Sequence, residues 1–417
     1  MWKFLLFFNC LLLCSCLVGP DYKEPEVQSS AHWLNKSPLI QESSFNKDLW
    51  WNSFHDPILI ALIQQGYYSN LSVQSAGVRV LQARAQLAQA VGELYPQQQA
   101  LAGNYTYNRI GGGSLQSLLP TDFLTALAGF SASWELDFWG KYRRAIQAND
   151  AAFLGSLAAY DYALVTLTSD VALSYIKIRT TEGKIKVTKA NIAVQSIGLR
   201  IAKSRFRNGQ TSLVDVEQAQ TELSQTQAML PTLISNLQIQ KDALAVLLGT
   251  VPNAMDGLLE KSYGIPKAPV HVAVGIPLET LARRPDIYEA RMEAVKQSAT
   301  IGQIKANLYP SLSLTGTFAF ASNNIGTSNI GDIFNWGNRT ITSGPGFTWS
   351  VLNYGQITNA VRAQDALFQQ ALLKYENLVL KAQQEVQDSI SSFVGANQAT
   401  QFLTKANTSA TKSLKLR

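Results

Sequence analysis

Cysteine is almost absent from this sequence, and the little there is lies at the amino end. The three cysteines of the 417 residues are Cys10, Cys14 and Cys16. A chain cut before Cys16 would keep a single cysteine and could form no internal disulfide. A cysteine kept only at the new first residue is better explained as an attachment site for lipid than as a core residue.

Long apolar stretches are also lacking beyond the first residues. Hydrophobic residues make up 46% of the sequence, but no later stretch reaches the ~20 consecutive apolar residues that a membrane-spanning helix needs. This pattern excludes transmembrane helices and leaves a transmembrane β-barrel open, because barrel strands alternate in polarity. The formal net charge of +6 is spread over the whole length. No basic run with interleaved aromatic residues indicates nucleic acid as a partner.

Catalytic motifs are missing as well. The histidines His32, His55 and His271 are scattered without metal-ligand spacing, and the sequence has no nucleophile elbow, P-loop or dinucleotide fingerprint. Acidic residues are dispersed along segments expected to be helical, where a solvated face explains them. The sequence therefore predicts a protein that is not an enzyme.

The amino terminus has the features of a secretory signal. Lys3 precedes an apolar run at 4–13, which suits a signal peptide and is too short to span a bilayer as a stable helix. We expect residues 1–15 to be this signal.

The end of the apolar run resembles a lipobox. It reads Leu13-Cys14-Ser15-Cys16, although cysteine is unusual two residues before the cut. We expect lipidation of Cys16, the alternative being an ordinary signal with incidental cysteines. By resemblance to lipoprotein sorting rules, Leu17 favours release to the outer membrane. Residues 16–56 would form an N-terminal anchor and extended segment.

Two parts of the sequence repeat the same landmarks. Leu94-Tyr95-Pro96 recurs as Leu308-Tyr309-Pro310, and a Trp-x5-Gly pattern at 134–140 recurs at 349–355. The second occurrence follows about 215 residues after the first, a period far longer than that of a solenoid unit. The pattern indicates a duplicated half-protein whose copies share one local structure.

Each Tyr-Pro landmark is followed by strict alternation of apolar and polar residues, which is typical of a β-strand with two different faces. Turn-rich segments separate the strands, so each copy contributes one hairpin. Strands of about 9–11 residues with aromatic ends match membrane-spanning β-strands. A soluble antiparallel sheet with one solvent-exposed face is the alternative. The aromatic residues expected at the membrane interface are Tyr105, Tyr107, Trp134, Phe138, Trp139, Phe318, Phe320 and Trp349.

The rest of each copy has the spacing of long coiled-coil helices. Residues 121–230 contain no proline, and a 4-3 apolar stripe runs through 153–178. We predict a helix at 141–208, about 100 Å long and broken near Glu182-Gly183. The segment Asn208-Gly209-Gln210-Thr211-Ser212 then supplies a helix stop and the cap of a return helix. A coiled-coil hairpin of purely structural purpose is the alternative for this part.

These elements give a domain organisation with two structural repeats. The first, at 57–270, holds a helix, a β-hairpin at 97–139 and coiled-coil helices at 141–248. The second, at 271–417, holds a helix, a hairpin at 311–353 and a final helix.

A further landmark, Thr188 to Asn191, recurs as Thr404 to Asn407, and the sequence ends ten residues later at Arg417. The first copy continues there through the Gly209 turn and the return helix. We therefore expect the second copy to be truncated and its final helix to keep an unpaired apolar stripe.

Spanning strands and long helices constrain one another. Four strands cannot close a barrel, because the smallest membrane barrels have about eight strands and open edges in lipid are prohibitive. Several chains must therefore share one barrel. A hollow assembly with coiled-coil helices projecting into the periplasm moves solutes.

Taken together, the motifs resemble TolC-like outer-membrane efflux channels, in the NodT/OprM-type lipoprotein branch. The resemblance spans nearly the whole chain, and its specificity lies in the combination. The motifs are Cys16 to Tyr22, Trp50-Trp51, Asp56-Pro57, Ser133 to Gly140, Arg205 with Gly209, Leu213 to Val216, Arg284 to Ile287, Ile301-Gly302 and Leu308 to Pro310.

The resemblance implies a mainly α protein with membrane β-strands: a homotrimer, twelve strands in one transmembrane barrel and a long helical barrel. It implies passive export of drugs or other small molecules handed over by an inner-membrane pump and a periplasmic adaptor. It implies no cofactor. The periplasmic tip, facing the adaptor, would contain Arg205, Gly209, Thr211 and Ser212. Asp215 would lie near the aperture, or serve only as a capping acid. A duct for type I protein secretion and a structural coiled-coil lipoprotein are the rival functions.

Overall fold

The computed structural model describes residues 17–26, 32–34, 37–42, 47–111, 120–259, 264–275 and 277–415. The expected signal peptide at 1–15 and the expected lipidation residue Cys16 lie outside the described residues.

In the described residues, long helices alternate with six strands, four of them long and two of only three residues. The strands are β1 (Ile40–Glu42), β2 (Gln98–Arg109), β3 (Asp122–Leu136), β4 (Val272–Val274), β5 (Ser311–Asn323) and β6 (Arg339–Thr348). The α-helices are α1 (Pro57–Ser69), α2 (Leu71–Gly92), α3 (Lys141–Arg207), α4 (Leu213–Leu247), α5 (Met255–Leu259), α6 (Pro277–Ala282), α7 (Pro285–Lys305) and α8 (Gln356–Lys415). The predicted fold class, mainly α with a four-strand contribution, is confirmed.

The chain divides into two compact units. The sheet unit comprises Met1–Val27, Val80–Ser156 and Tyr288–Leu378. The helical unit comprises Gln28–Arg79, Leu157–Ile287 and Val379–Arg417.

The sheet unit contains an antiparallel sheet of order β2-β3-β5-β6. Its strands end slightly earlier than the alternation indicated, since β3 stops at Leu136 and β6 at Thr348. Phe138, Trp139 and Trp349 therefore lie beyond the strands. The chain turns there, as the Phe138 amide donates to the carbonyl of Leu136 at 2.8 Å, and a turning backbone cannot continue the ladder.

The core of the helical unit forms where helices α1, α3, α4 and α5 pack together. Asp56 caps α1, because its Oδ1 accepts the amides of Ile58 at 2.9 Å and Leu59 at 3.2 Å. Pro57 at the first helical position needs no partner for its nitrogen. The buried core side chains are Trp51, Leu59, Leu62, Ile63, Val73, Leu167, Val171, Ala172, Tyr175, Ile178, Leu244, Ala245, Leu248, Met255 and Leu259.

Helix α3 is continuous from Lys141 to Arg207, so the predicted break near Glu182-Gly183 is wrong. The fully buried Arg179 donates to Glu182 at 2.9 Å and to the carbonyl of Leu259 at 3.1 Å. These contacts hold the helix next to Gly183, whose intrinsic cost in a helix is only about 1 kcal/mol.

By length and composition α3 also holds a stretch apolar enough to cross a membrane, in contrast to the prediction that no such stretch follows the first residues. Part of its apolar character has another explanation. Leu167, Val171 and Tyr175 are buried among protein side chains of the helical unit.

On α8, Phe402 and Leu403 are exposed. The unpaired apolar stripe expected on this final helix stays a prediction. The expected truncation itself stays a prediction.

Candidate functional site

One face of the four-stranded sheet is apolar and exposed. Leu101 lies opposite Phe130, Phe130 opposite Phe318, and Phe318 opposite Ile341. Directly opposite residues share a face, so these four side chains form one row across the sheet. Leu101 is 85% and Ile341 63% exposed. A contiguous apolar surface of this kind indicates contact with lipid or a partner.

The opposite face carries small polar side chains. Its central row contains Ser131, Thr317 and Thr342, and Ser133 lies opposite Thr315 in the neighbouring row. Hydroxyl side chains are compatible with water. The sheet therefore has one face suited to lipid and one suited to an aqueous interior.

The two copies of the repeat share a hydrogen bond where each hairpin ends. Trp134 Nε1 donates to the carbonyl of Leu94 at 3.0 Å, and Trp349 Nε1 donates to that of Leu308 at 3.0 Å. We call residues 134–140 the first corner and residues 349–355 the second corner. The recurrent Leu-Tyr-Pro and Trp landmarks are thus partners in space.

Each corner ends at a glycine in the left-handed region. The φ angle is +77° at Gly140 and +81° at Gly355. Only glycine adopts this conformation without steric cost, which explains the glycine of the Trp-x5-Gly pattern.

Charged contacts brace the first corner. Lys141 pairs with Glu135 at 3.2 Å, and Arg143 pairs with Asp137 at 2.9 Å. The Asp137 carboxylate also accepts the amides of Tyr142 at 2.9 Å and Arg143 at 3.0 Å, so it caps the start of α3.

Aromatic contacts add to this brace. Trp139 stacks on Tyr309 with ring centroids 4.6 Å apart, and its Nε1 donates to the carbonyl of Pro310 at 2.8 Å. The first corner is thereby tied to the residues that precede β5.

The segment 17–26, which we call the strap, is clamped on the sheet unit by a buried arginine. Arg144 donates to the carbonyls of Val18 at 3.1 Å and Gly19 at 3.2 Å, and to Asp21 at 2.9 Å. A Cβ placed on Gly302 would lie 2.5 Å from the carbonyl oxygen of Val18. The close fit leaves the strap little freedom.

The turn between α3 and α4 is tight and capped on both sides. Gln210 N–H donates to Arg205 O and Gly209 N–H to Phe206 O, both at 2.9 Å, and Gly209 has φ +71°. This is the Schellman arrangement of a helix end. The predicted helix stop at Gly209 is confirmed.

Asp215 belongs to the cap of α4. Its Oδ2 accepts Ser212 N–H at 3.1 Å, Ser212 Oγ at 3.0 Å and the hydroxyl of Thr211, while Ser212 Oγ accepts the Asp215 amide. The Thr211 hydrogen bond, followed by those of Ser212, lowers the pKa of Asp215. The capping interpretation is observed directly, and a role at an aperture stays a prediction.

The predicted functional residues lie in two places. Arg205, Gly209 and Ser212 are exposed in the helical unit, at the turn. The predicted interface aromatics lie in the sheet unit. Tyr105 and Tyr107 are exposed on the apolar face.

Sequence reasoning missed two features. The clamp of Arg144 gave no local signal, because its partners lie more than a hundred residues earlier in the chain. Phe334 and Trp336 were hidden in a turn-rich segment, although two aromatic residues in such a segment are a usable signal.

Among the described residues no group of His, Cys, Asp and Glu side chains could hold a metal ion.

The sequence is similar to known proteins over most of its length. The family model described as "Outer membrane efflux protein" matches residues 62–250 and 276–417. Nodulation protein T of Rhizobium leguminosarum bv. trifolii is 29% identical over 384 residues, which cover 92% of this chain and 80% of that protein. The cation efflux system protein CusC of Escherichia coli K12 is 24% identical over 394 residues, covering 93% of this chain and 83% of CusC.

A solved structure agrees with these matches. The outer-membrane channel OprN superimposes with a TM-score of 0.81 at 25% identity, over 91% of this chain and 83% of OprN.

Proposed function

The chain belongs to the outer membrane efflux protein family and is an outer-membrane efflux channel, and on that premise we propose that three copies form one export duct. The duct is passive and carries drugs or other small molecules. A periplasmic adaptor and an inner-membrane pump deliver them in a tripartite system.

Open sheet edges support the trimer. Among the described residues β2 pairs only with β3 and β6 only with β5, so the outer edges of both present unpaired amides and carbonyls. Lipid cannot satisfy these groups. Pairing β6 of one copy with β2 of the next closes a barrel of twelve strands.

The apolar face has the height of a membrane. Its rows extend from the one containing Phe320 to the one containing Leu312, about 27 Å along the strand at ~3.4 Å per residue, or about 21 Å of height at a strand tilt of ~40°. The apolar band of outer-membrane barrels is about 25 Å tall. The apolar face then contacts lipid, and the face with Ser131 and Thr317 lines the pore.

The exposed turn between α3 and α4 supports an adaptor contact. Arg205, Gly209, Thr211 and Ser212 are held there by caps on both helices, so the turn offers a rigid surface. We assign these residues to the periplasmic tip that faces the adaptor. Asp215, beside them, is the candidate for the aperture.

The strap supports the lipid anchor. It fixes Leu17 against Gly140, where a Cβ would lie 2.3 Å from Leu17 Cδ1. An acyl group on Cys16 would therefore begin close to the first corner and Trp139. We propose that this anchor and the barrel enter the same outer membrane, with the long helices in the periplasm.

The two-faced sheet is the observation that carries this proposal. Leu314 and Thr315 are neighbours on opposite faces, so Leu314→Cys and Thr315→Cys form a matched pair. A charged, membrane-impermeant thiol reagent should label Thr315→Cys in reconstituted trimers and leave Leu314→Cys unlabelled, with the unsubstituted chain as background for Cys16. Equal labelling of the two variants, or a water-soluble monomer without conductance in planar bilayers, would refute the channel.

A further inference from the structure

We propose that the loop end of the sheet binds a phosphorylated lipid. The site consists of Arg339 and four aromatic residues, Phe318, Phe320, Phe334 and Trp336, which we call the loop-end patch. The inference rests on the proposed function, because the barrel orientation decides which leaflet the patch meets.

The loop between β5 and β6 folds its aromatic side chains onto the apolar face. Trp336 lies with its ring centroid 6.4 Å from that of Phe318 and 6.5 Å from that of Phe320. Phe334 lies 5.8 Å from Phe320. Phe334 is nevertheless 70% and Trp336 64% exposed. The patch extends the apolar face of the sheet and still has uncovered aromatic surface.

A cation lies at the edge of this aromatic surface. The Arg339 guanidinium is 4.5 Å from the ring centroid of Trp336 and donates to the Trp336 carbonyl at 2.6 Å. A guanidinium has five N–H donors in a planar fork, so most of them are available to a ligand. The hydrogen bond to the Trp336 carbonyl restricts the direction of the fork.

Three other cations near the ends of the sheet are paired with carboxylates. Arg109 pairs with Asp122 at 3.5 Å, Lys141 with Glu135 and Arg143 with Asp137. In the described residues, Arg339 forms no such ion pair. It is therefore the cation of the sheet that is suited to an external anion.

A cation beside an exposed apolar surface is suited to a ligand that combines an anionic group with apolar chains, which is an acidic amphiphile. Arginine binds phosphate oxygens bidentately, and the aromatic rings offer a surface to acyl chains. At this end β5 and β6 are joined by a loop, whereas their other ends lead to α7 and α8. With helices in the periplasm, the loop end faces the outer leaflet. The occupant is then the phosphorylated glycolipid of that leaflet, lipid A.

Native mass spectrometry of the full-length trimer in detergent can test the site. Lipid A is titrated against the unsubstituted chain and against Arg339→Gln, Arg339→Lys and Trp336→Ala. The control variant is Lys405→Gln, because Lys405 lies over Phe402 at 5.7 Å on α8 and offers the same chemistry away from the patch. Parallel titrations use lipid A without its phosphates and inorganic phosphate alone.

We expect Arg339→Gln to weaken lipid A binding about tenfold, the effect of losing a charge-assisted hydrogen bond. The affinity of Arg339→Lys for lipid A should lie between those of Arg339→Gln and the unsubstituted chain. Lys405→Gln should bind lipid A like the unsubstituted chain. Dephosphorylated lipid should bind as weakly as lipid A binds to Arg339→Gln, and inorganic phosphate should not compete.

Unchanged binding in Arg339→Gln, an equal loss in Lys405→Gln, or full competition by inorganic phosphate would each overturn the site. Conductance of the same preparations separates the two claims. Absence of conductance in the unsubstituted chain contradicts the channel, whereas normal conductance with unchanged lipid binding contradicts only the lipid site.

Discussion

The first and second corners share a tryptophan hydrogen bond at their start and a left-handed glycine at their end, and they differ in the contacts that surround these residues. The bond of Trp134 is partly buried, whereas Trp349 is 53% exposed. Ion pairs and the strap surround the first corner. In the second, Leu352 is 79% and Tyr354 95% exposed.

The sequence difference between the corners explains this contrast. Glu135 and Asp137 of the first corner correspond to Ser350 and Leu352 of the second. Their cationic partners Lys141 and Arg143 are likewise replaced, by Gln356 and Thr358. The two corners thus share a backbone arrangement, but the first has a charged surface and the second an uncharged, partly apolar one. The first corner is completed within its own chain, and the apolar second corner is suited to a neighbouring copy in the proposed trimer.

Removing the clamp of Arg144 should have the largest effect on this contrast. Arg144→Met leaves three strap acceptors without their buried donor, and we expect a loss of about 3 kcal/mol in the free energy of unfolding. The urea midpoint of the detergent-solubilised protein measures it. Asn359, at the corresponding position of the second copy, is the control, and Asn359→Ala should cost less than about 0.5 kcal/mol. Equal losses would show that the strap does not brace the first corner.

The corner glycines offer a more direct comparison. Gly355→Ala should cost about 1 kcal/mol through backbone strain alone. Gly140→Ala should cost about 2 kcal/mol, because its new Cβ also meets Leu17. The same urea titration measures both. If the two substitutions cost the same free energy of unfolding, the strap moves to accommodate the new methyl group, and it packs less tightly than the structure shows.

Much of this architecture was predictable because its signals are local. Alternation located the hairpins, and the Gly209 and Ser212 residue types located the turn, since a left-handed residue and a cap are decided by neighbouring backbone. The repeat was visible because the Trp and Leu-Tyr-Pro landmarks, which are partners in space, were retained in both copies.

The features that escaped prediction depend on distant contacts. Gly183 does not break α3, because Arg179 ties the adjacent turn to Leu259, eighty residues away in sequence. The strand ends depend on where the corners turn. The clamp of Arg144 required knowledge of where the strap docks. Local propensity of about 1 kcal/mol is readily overridden by such tertiary contacts.

The paired tryptophans should give a smaller difference than the glycines. Trp134→Phe and Trp349→Phe each remove one indole hydrogen bond and leave an aromatic ring. We expect a loss of about 1 kcal/mol at the partly buried Trp134 and about 0.5 kcal/mol at the exposed Trp349. Urea midpoints of monomeric and trimeric fractions measure the difference. A larger loss at Trp349 in the trimer alone would show that a neighbouring copy buries the second corner.

The smallest effect concerns pH and belongs to the first corner alone. Tyr142 donates to Glu135 at 3.0 Å, and burial, followed by this hydrogen bond, raises the pKa of its hydroxyl. The unfolded pKa is about 10, so the stabilisation is fully present below that pH and is lost as the pH rises through the higher folded pKa. Tyr142→Phe should therefore be less stable than the unsubstituted chain by up to about 1 kcal/mol at pH 8, with the gap narrowing above pH 10. Ile357 takes this position in the second copy, and Ile357→Val should give a gap independent of pH. A gap for Tyr142→Phe that stays constant from pH 8 to pH 11 would mean that the Tyr142 hydroxyl does not ionise differently in the folded corner.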